Sequence, residues 1–151
     1  MDRIDRHILS LLQKDARQST ADVADKVGLS ASPCARRIKK LEEDGVIAGY
    51  QAKLSKQKVG VGMTVFVEVS LNNHQASSID AFELAVLNME QVTSCHVVSG
   101  AYDYLLEVVS QDLMGYESFT RQLQRLDNVK DIHTHLAIRQ VKESSELPVF
   151  T

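Results

Sequence analysis

Residues 30–50, SASPCARRIKKLEEDGVIAGY, read as one short helix with a marked start, a marked stop and two unlike faces. Ser30 or Ser32 can accept a hydrogen bond from an unpaired first-turn amide, and Pro33 falls where a missing amide costs the helix little. Gly45 ends it. Cys34, Ile38 and Leu41 share one face at helical spacing, while Ser32, Arg36, Arg37 and Lys40 lie on the other. Four cations (Arg36, Arg37, Lys39, Lys40) and no acid fall between residues 30 and 40; Glu42, Glu43 and Asp44 wait for the last turn. A helix dipole prefers the opposite order, each exposed charge being worth ~0.3–1 kcal/mol, so this order costs stability.

Surface helices often carry Lys and Arg, so the basic face alone is weak evidence; what precedes it decides the reading. Ser19 followed by Asp22 predicts a capped start, Val23, Ala24 and Val27 supply a short apolar stripe, and Gly28 stops the helix with Leu29 behind it. A short helix, a Gly-containing turn and a second helix with a basic outer face form the helix-turn-helix pattern of DNA-binding proteins.

Outward from this pair, residues 2–15 predict a first helix with Ile4, Ile8, Leu11 and Leu12 on one face, the third apolar surface that two short helices need. After Gly45, residues 46–54 are too β-like and Gly-broken for a helix and suit a strand packed on the head, the wing of a winged helix. Residues 55–62 read as a linker. Then come a strand at 63–71, a helix at 79–89 with Phe82, Val86 and Met89 in line, and strands at 92–98 and 102–109 joined at Ser99-Gly100-Ala101. A helix at 113–126 carries Leu113, Tyr116, Thr120 and Leu123 on one side, and a last strand spans 132–141. The expected fold is therefore α+β: a winged helix-turn-helix head (1–54), the linker, and a ferredoxin-like (RAM/ACT-like) βαββαβ domain (63–151) with both helices on one sheet face. The third strand is apolar on both sides, Tyr104, Leu106 and Val108 one way and Leu105 and Val109 the other. Its open face predicts sheet-on-sheet self-association into a twofold dimer that would pair two heads.

Composition agrees with a globular protein: 44% apolar and 25% charged residues over 151 positions. No apolar run approaches a membrane span of ~20 residues and the first residues lack a signal peptide's core, so no membrane partner and a cytoplasmic setting are expected. Cys34 and Cys95 stand in unlike contexts without metal-type spacing, and read as structural. The net charge is −3, but residues 1–54 hold ten Lys or Arg against eight Asp or Glu, while the remainder hold seven against twelve. Such a split fits a DNA-contacting head on an acidic body.

Over essentially the whole chain the sequence resembles the Lrp/AsnC (feast/famine) family of regulators. The resemblance rests on Asp2-Arg3-Ile4-Asp5, Ile8-Leu9, residues 11–17 (LLQKDAR), Val27-Gly28-Leu29-Ser30, and Ser32-Pro33-Cys34 with Arg37, Leu41-Glu42, Gly45-Val46-Ile47 and Gly49-Tyr50. Further on it rests on residues 95–100 (CHVVSG) and 102–106 (YDYLL). It implies a DNA-binding regulator that forms dimers and often octamers and binds an amino-acid effector at contacts between dimers. DNA contact would fall to Ser30, Ser32, Pro33, Arg36, Arg37, Lys39 and Lys40 on double-stranded DNA. The effector region would be Gly100, Ala101, Tyr102 and Asp103 with the last strand near Thr134, His135 and Leu136; Ala101 departs from the acid often found there. The chemistry fits a zwitterion, since Asp103 could meet an ammonium and the missing side chain at Gly100 exposes backbone amides to a carboxylate. Asp103 could equally be a turn residue bonding backbone.

His133 and His135 alternate to one sheet face, with Cys95 and His96 as neighbours to be tested, but no thiolate or carboxylate pair completes a metal site and no cofactor is expected. Tyr102 and Tyr104 read as sheet residues rather than a stacking pair for a ligand. No phosphate loop, nucleophile elbow or paired-carboxylate motif appears. The alternative is an enzyme, because some tetrapyrrole decarboxylases look like this same architecture with the histidines put to use. The intact basic helix favours the regulator.

Overall fold

The computed structural model describes residues 1–143 and 146–150, which separate into two compact units: Met1–Lys53 with the residues from Val141 onward, and Leu54–Gln140. In the first unit α1 (Arg3–Lys14) opens with a capping box, the Asp5 amide donating to the Asp2 carboxylate at 2.9 Å and the Asp2 amide to the Asp5 carboxylate at 3.0 Å. α2 (Thr20–Val27) repeats the device with Ser19 and Asp22. Each box satisfies two amides that the helix itself cannot. Gly28 then turns to φ +72°, so that the Leu29 amide bonds the Ala24 carbonyl at 2.9 Å and the chain enters α3 (Ala31–Glu43). Only a residue without Cβ strain makes that reversal cheaply. Pro33 is the third residue of α3, among amides that have no acceptor within a helix. Ile8, Leu9, Val23, Ala24, Cys34 and Leu41 form the buried centre, with Ile4, Leu12 and Ile38 packed around it.

One expectation fails here. Residues 46–54 form no strand. Ile47 turns inward, its amide bonding the Leu41 carbonyl at 3.0 Å, while Val46, Tyr50 and Leu54 stay exposed. A β-like sequence needs a neighbouring ladder to become a strand, and among the described residues this stretch has none.

The second unit is a four-stranded antiparallel sheet in the order β2-β3-β1-β4. Its elements are β1 (Met63–Leu71), α4 (Ala76–Leu87), β2 (Val92–Val97), β3 (Tyr104–Ser110), α5 (Leu113–Gln124) and β4 (Val129–Leu136). Val65, Val67, Val69, Leu106 and Val108 are fully buried on one face beneath Phe82 and Val86 of α4 and Phe119 and Leu123 of α5. Fully burying a side chain of this kind is worth ~1.5–3 kcal/mol, which is what holds both helices on that face. The other face stays open: Phe66 is 38% exposed, and Leu105 and Val109 are half-buried.

Several boundaries move. β4 begins at Val129 and ends at Leu136, not at 141, because β1 offers it no partner beyond Val65 and a last bond from the Ala137 amide to Thr64. On α5 the buried face is Tyr116, Phe119 and Leu123; Leu113, expected on it, is 71% exposed. It is the first helical residue after the cap Asp112, a turn short of the sheet. Residues 55–62, the expected linker, are bonded to the sheet. They include a 3-10 turn at Gln57–Val59, the Gly62 amide bonds the Ser110 carbonyl at 3.0 Å, and Lys56 reaches Glu107 at 3.2 Å. A Cβ on Gly62 would stand 2.1 Å from the Gln111 carbonyl oxygen, so glycine permits this approach. The compact units divide the chain differently from the expected 63–151 domain, with Val149 packed on the buried cluster of the first unit.

Candidate functional site

The outer face of α3 is the densest run of cations in the chain. Ser32, Arg36 and Lys40 follow one another at four-residue spacing and all are exposed. Lys39 and Lys40 have side chains 75% exposed and reach only loosely to Glu43 at 3.5 Å and Asp44 at 3.4 Å. Exposed pairs of this kind are worth a few tenths of a kcal/mol and release their cations readily. Arg36 has no acid partner among the described residues. Ser30 starts the helix without a side-chain cap bond, so its hydroxyl is uncommitted, and the first turn carries no acid. The positive end of the helix dipole therefore adds to the same surface.

Arg37 is different. Its guanidinium sits 2.7 Å from the Asp5 carboxylate and 2.8 Å from that of Asp2, with the side chain 34% exposed. The Asp5 bond, then the Asp2 bond, raise the Arg37 pKa above its ordinary value. The Asp2 carboxyl is held below its ordinary value by the Asp5 amide first and Arg37 second. Arg37, expected among the DNA contacts, thus joins the start of α1 to the middle of α3 through Asp2 and Asp5. Both bonds leave one guanidinium nitrogen, Nη1, whose two hydrogens serve one carboxylate each. On the buried side, Cys34 is fully enclosed and its thiol pKa is raised by burial.

At one end of the sheet, residues 98–103 make the turn into β3. Gly100 takes φ +123° with open space where a Cβ would stand, so glycine serves conformation here and not clearance. The Asp103 amide donates to the Val69 carbonyl at 2.9 Å, and the Asp103 carbonyl accepts from the Val98 amide at 3.0 Å. One Asp103 carboxylate oxygen accepts from the Leu71 amide at 2.7 Å and the other meets His74 Nε2 at 2.7 Å. The Leu71 bond first, and His74 second, hold the Asp103 pKa below its ordinary value. Gly100 and Ala101 are exposed, and the Tyr102 ring lies 5.0 Å from that of His133. Thr134, His135 and Leu136 stand elsewhere. They lie opposite Val67, Phe66 and Val65, whereas the turn sits by Val69, so at ~3.4 Å per residue Leu136 is some 14 Å along the strand. Thr134 bonds the Tyr116 hydroxyl at 2.6 Å, His135 faces Glu68 at 3.3 Å, and Leu136 is 55% exposed.

Residues 1–48 match the winged helix-turn-helix DNA-binding family model, and residues 64–147 match the Lrp/AsnC ligand binding domain. The chain belongs to the Lrp/AsnC family. It is 40% identical over 152 aligned residues to the leucine-responsive regulatory proteins of Escherichia coli K12 and Klebsiella pneumoniae, covering 100% of this chain and 93% of theirs. Among solved structures it is similar to an AsnC family transcriptional regulator from Agrobacterium tumefaciens (TM-score 0.94, 40% identity, 98% of this chain and 97% of that one). It is also similar to a transcriptional regulator of Neisseria meningitidis in complex with L-Met (TM-score 0.95, 31% identity, 98% and 96%).

Within this Lrp/AsnC frame the turn and the far end of the last strand at Leu136 do not meet in a single chain, although Tyr102 touches His133 beside Thr134. Nor do the four residues weighed for a metal. Cys95 and His96 lie on β2 and His133 and His135 on β4, opposite edges of the sheet, roughly 14 Å apart at ~4.8 Å per strand. His133 pairs with Asp131 at 3.1 Å, and among the described residues no three His, Cys, Asp or Glu side chains gather for a metal. A half-open cavity of about 260 Å³ lies instead at the far end of the sheet from Gly100, between Lys56, Met63, Thr64, Phe66, Glu107 and Arg139. Residues that sequence reasoning missed are His74 and Leu71, which hold Asp103, and Glu83, which accepts a 2.8 Å bond from the buried Tyr104 hydroxyl. Burial first, and Glu83 second, raise the Tyr104 pKa far above its ordinary value. No helix is long and apolar enough to cross a membrane among the described residues.

Proposed function

We propose that this chain is an amino-acid-responsive transcriptional regulator that reads double-stranded DNA with the outer face of α3. Ser32, Arg36, Lys39 and Lys40 meet phosphates or base edges in the major groove, Ser30 and Pro33 stand at the helix start nearest the backbone, and Arg37 holds the helix in place behind them. The carrying observation is that the cations on this face are loosely paired or unpaired while Arg37 alone is tightly engaged. Major-groove readout needs cations free to reach phosphates and bases. The regulator acts in the cytoplasm as a homodimer built on the open sheet face, which sets two heads on two half-sites and assembles further to octamers.

The effector is an amino acid, held at the exposed turn of Gly100, Ala101 and Tyr102 by one copy and by Thr134, His135 and Leu136 of another. A second copy is invoked because Leu136 lies opposite Val65, four positions along β1 from Val69 beside the turn. The Neisseria relative solved with L-Met supports this ligand class. Asp103 acts by anchoring the turn, since both carboxylate oxygens already have partners. The enzyme alternative finds no favouring observation, and the relatives are regulators.

The test starts from DNA fragments selected by the wild-type protein from a random pool. The doubly substituted Arg36→Ala, Lys40→Ala protein should fold and assemble normally yet bind those fragments at least tenfold more weakly, a loss of ~1.4 kcal/mol. Unchanged affinity in a folded double variant would refute the α3 reading. Calorimetric titration with the twenty amino acids, with and without DNA, identifies the effector.

A further inference from the structure

The chain beyond β4 does not behave as the end of the second unit. Gln13, on α1, donates through Nε2 to the Leu147 carbonyl at 3.1 Å and accepts through Oε1 from the Leu147 amide at 2.6 Å. One side-chain amide thus satisfies both backbone groups of a residue 134 positions away. A carboxamide carries both a donor and an acceptor, so it can hold an extended segment as a neighbouring strand would. Two residues further, Val149 packs against the buried cluster of the head, while Leu147 is 74% exposed and Phe150 is 85% exposed. The segment therefore docks at two points, through the backbone of Leu147 and the side chain of Val149. Lys53 and Glu143 add an exposed pair at 3.5 Å. The match to the ligand-binding domain runs through residue 147, yet residue 147 is held by α1.

We propose that residues 146–150 are a strap that completes the DNA-binding unit and ties it to the second unit at a second point, so that DNA affinity depends on the docked strap. The chain leaves the first unit at Lys53 and returns to it at Val141. A head on one flexible connection samples many orientations, whereas a head closed into a loop at both ends samples few. For a dimer reading two half-sites, the second tether removes orientational freedom before DNA arrives, and preorganisation of this kind raises affinity without adding a contact to DNA. Residues 137–145 join β4 to the strap, a second covalent route between the units beside residues 54–62.

Two variants test the strap in the full assembly. Gln13→Leu removes both bonds by putting an apolar side chain of similar size in place of the carboxamide, and a chain ending at Glu143 removes the strap altogether. Hydrogen exchange read on the peptide containing Leu147 should be slow in wild type and at least tenfold faster in Gln13→Leu, since a docked amide exchanges only on opening. Both variants should keep the wild-type oligomeric state and bind the selected DNA fragments about threefold or more weakly. Unchanged exchange in Gln13→Leu would show that Gln13 does not hold the segment, and wild-type DNA affinity in both variants would show that docking does not serve DNA binding. Either result overturns the strap and leaves the regulator reading intact. A wild-type protein that selects no DNA overturns the regulator reading and the strap's effect on it together.

Discussion

Asp103 gives the sharpest division between an anchor and a ligand contact. Its side chain is 27% exposed, and its two oxygens take the Leu71 amide and His74 Nε2, each at 2.7 Å. Hydrogen bonds to a charged group contribute ~1.5–3 kcal/mol, and an amide left unpaired out of water costs ~1–3 kcal/mol. Asp103→Ala strands the Leu71 amide and should cost about 2–3 kcal/mol; Asp103→Asn keeps an acceptor, loses the charge and should cost about 1 kcal/mol. For a unit the size of Leu54–Gln140, 1 kcal/mol shifts Tm by ~4–8 °C, so the alanine variant should melt roughly 8–20 °C lower and the asparagine variant about 4–8 °C lower. The pH dependence has a definite sign. A carboxylate whose folded pKa lies below its unfolded value of ~3.9 contributes stability in full above that value and loses it as pH falls through the folded pKa. The advantage of wild type over Asp103→Asn should therefore be constant near neutral pH and shrink below about pH 4. Calorimetric melting at fixed protein concentration from neutral to acid pH measures both effects. If both variants melt within about 2 °C of wild type while amino-acid affinity falls tenfold, the carboxylate faces the ligand and the anchoring account is wrong.

The other expectations rest on single observations. Phe119→Ala empties a side chain that is 1% exposed and should cost ~3–5 kcal/mol in urea unfolding, whereas Leu113→Ala, at a residue 71% exposed, should stay within ~0.5 kcal/mol; equal effects would mean α5 faces the sheet differently. Gly28→Ala has room for its methyl group but not for φ +72°, so roughly 1–2 kcal/mol of purely conformational cost should appear in the melting of the head. Leu105→Glu puts a charge on the open sheet face opposite Glu68; sedimentation should show monomers, and a dimer of wild-type affinity would place the interface elsewhere.

The helices of the head were readable because their signals are local. Ser19 with Asp22 and the glycine at 28 act within four residues of themselves, and a capping box or a left-handed turn needs nothing distant. The strands of the second unit were readable for the related reason that Val65, Val67 and Val69 alternate. What failed depends on distant chain. Residues 46–54 have β propensity without a ladder, and β4 stops where β1 stops offering partners. The segment near Leu147 looked like the end of a strand domain, because nothing around it names Gln13 as its partner. The partners of Arg37 are hidden from the sequence for the same reason: its spacing from Arg36 and Lys40 is local, whereas its acids lie 35 and 32 positions away. The in-chain partners of Asp103 are equally hidden, since Leu71 and His74 reach it only through the pairing of β1 with β3.

Moving the residues from Val141 to the head leaves it with eleven Lys or Arg against ten Asp or Glu, a net charge of only +1. Attraction to DNA must then come from placement, and placement can be counted by salt. Neutralising Z phosphates on duplex DNA gives a slope of about −0.9Z in log affinity against log salt concentration. With Arg36, Lys39 and Lys40 available on each of two heads, Z is about six and the slope about −5; if Arg37 also reached phosphate, Z would be about eight and the slope about −7. Arg36→Ala, removing one contact per head, should flatten the slope by roughly two units. Arg37→Ala should leave the slope near its wild-type value while lowering the melting temperature of the head, because it frees Asp2 and Asp5 from their cation. Titrations of one selected fragment at four or more salt concentrations, beside melting curves of the same preparations, separate the two roles. A slope that flattens in Arg37→Ala as much as in Arg36→Ala, with an unchanged melting temperature, would return Arg37 to the DNA-facing surface.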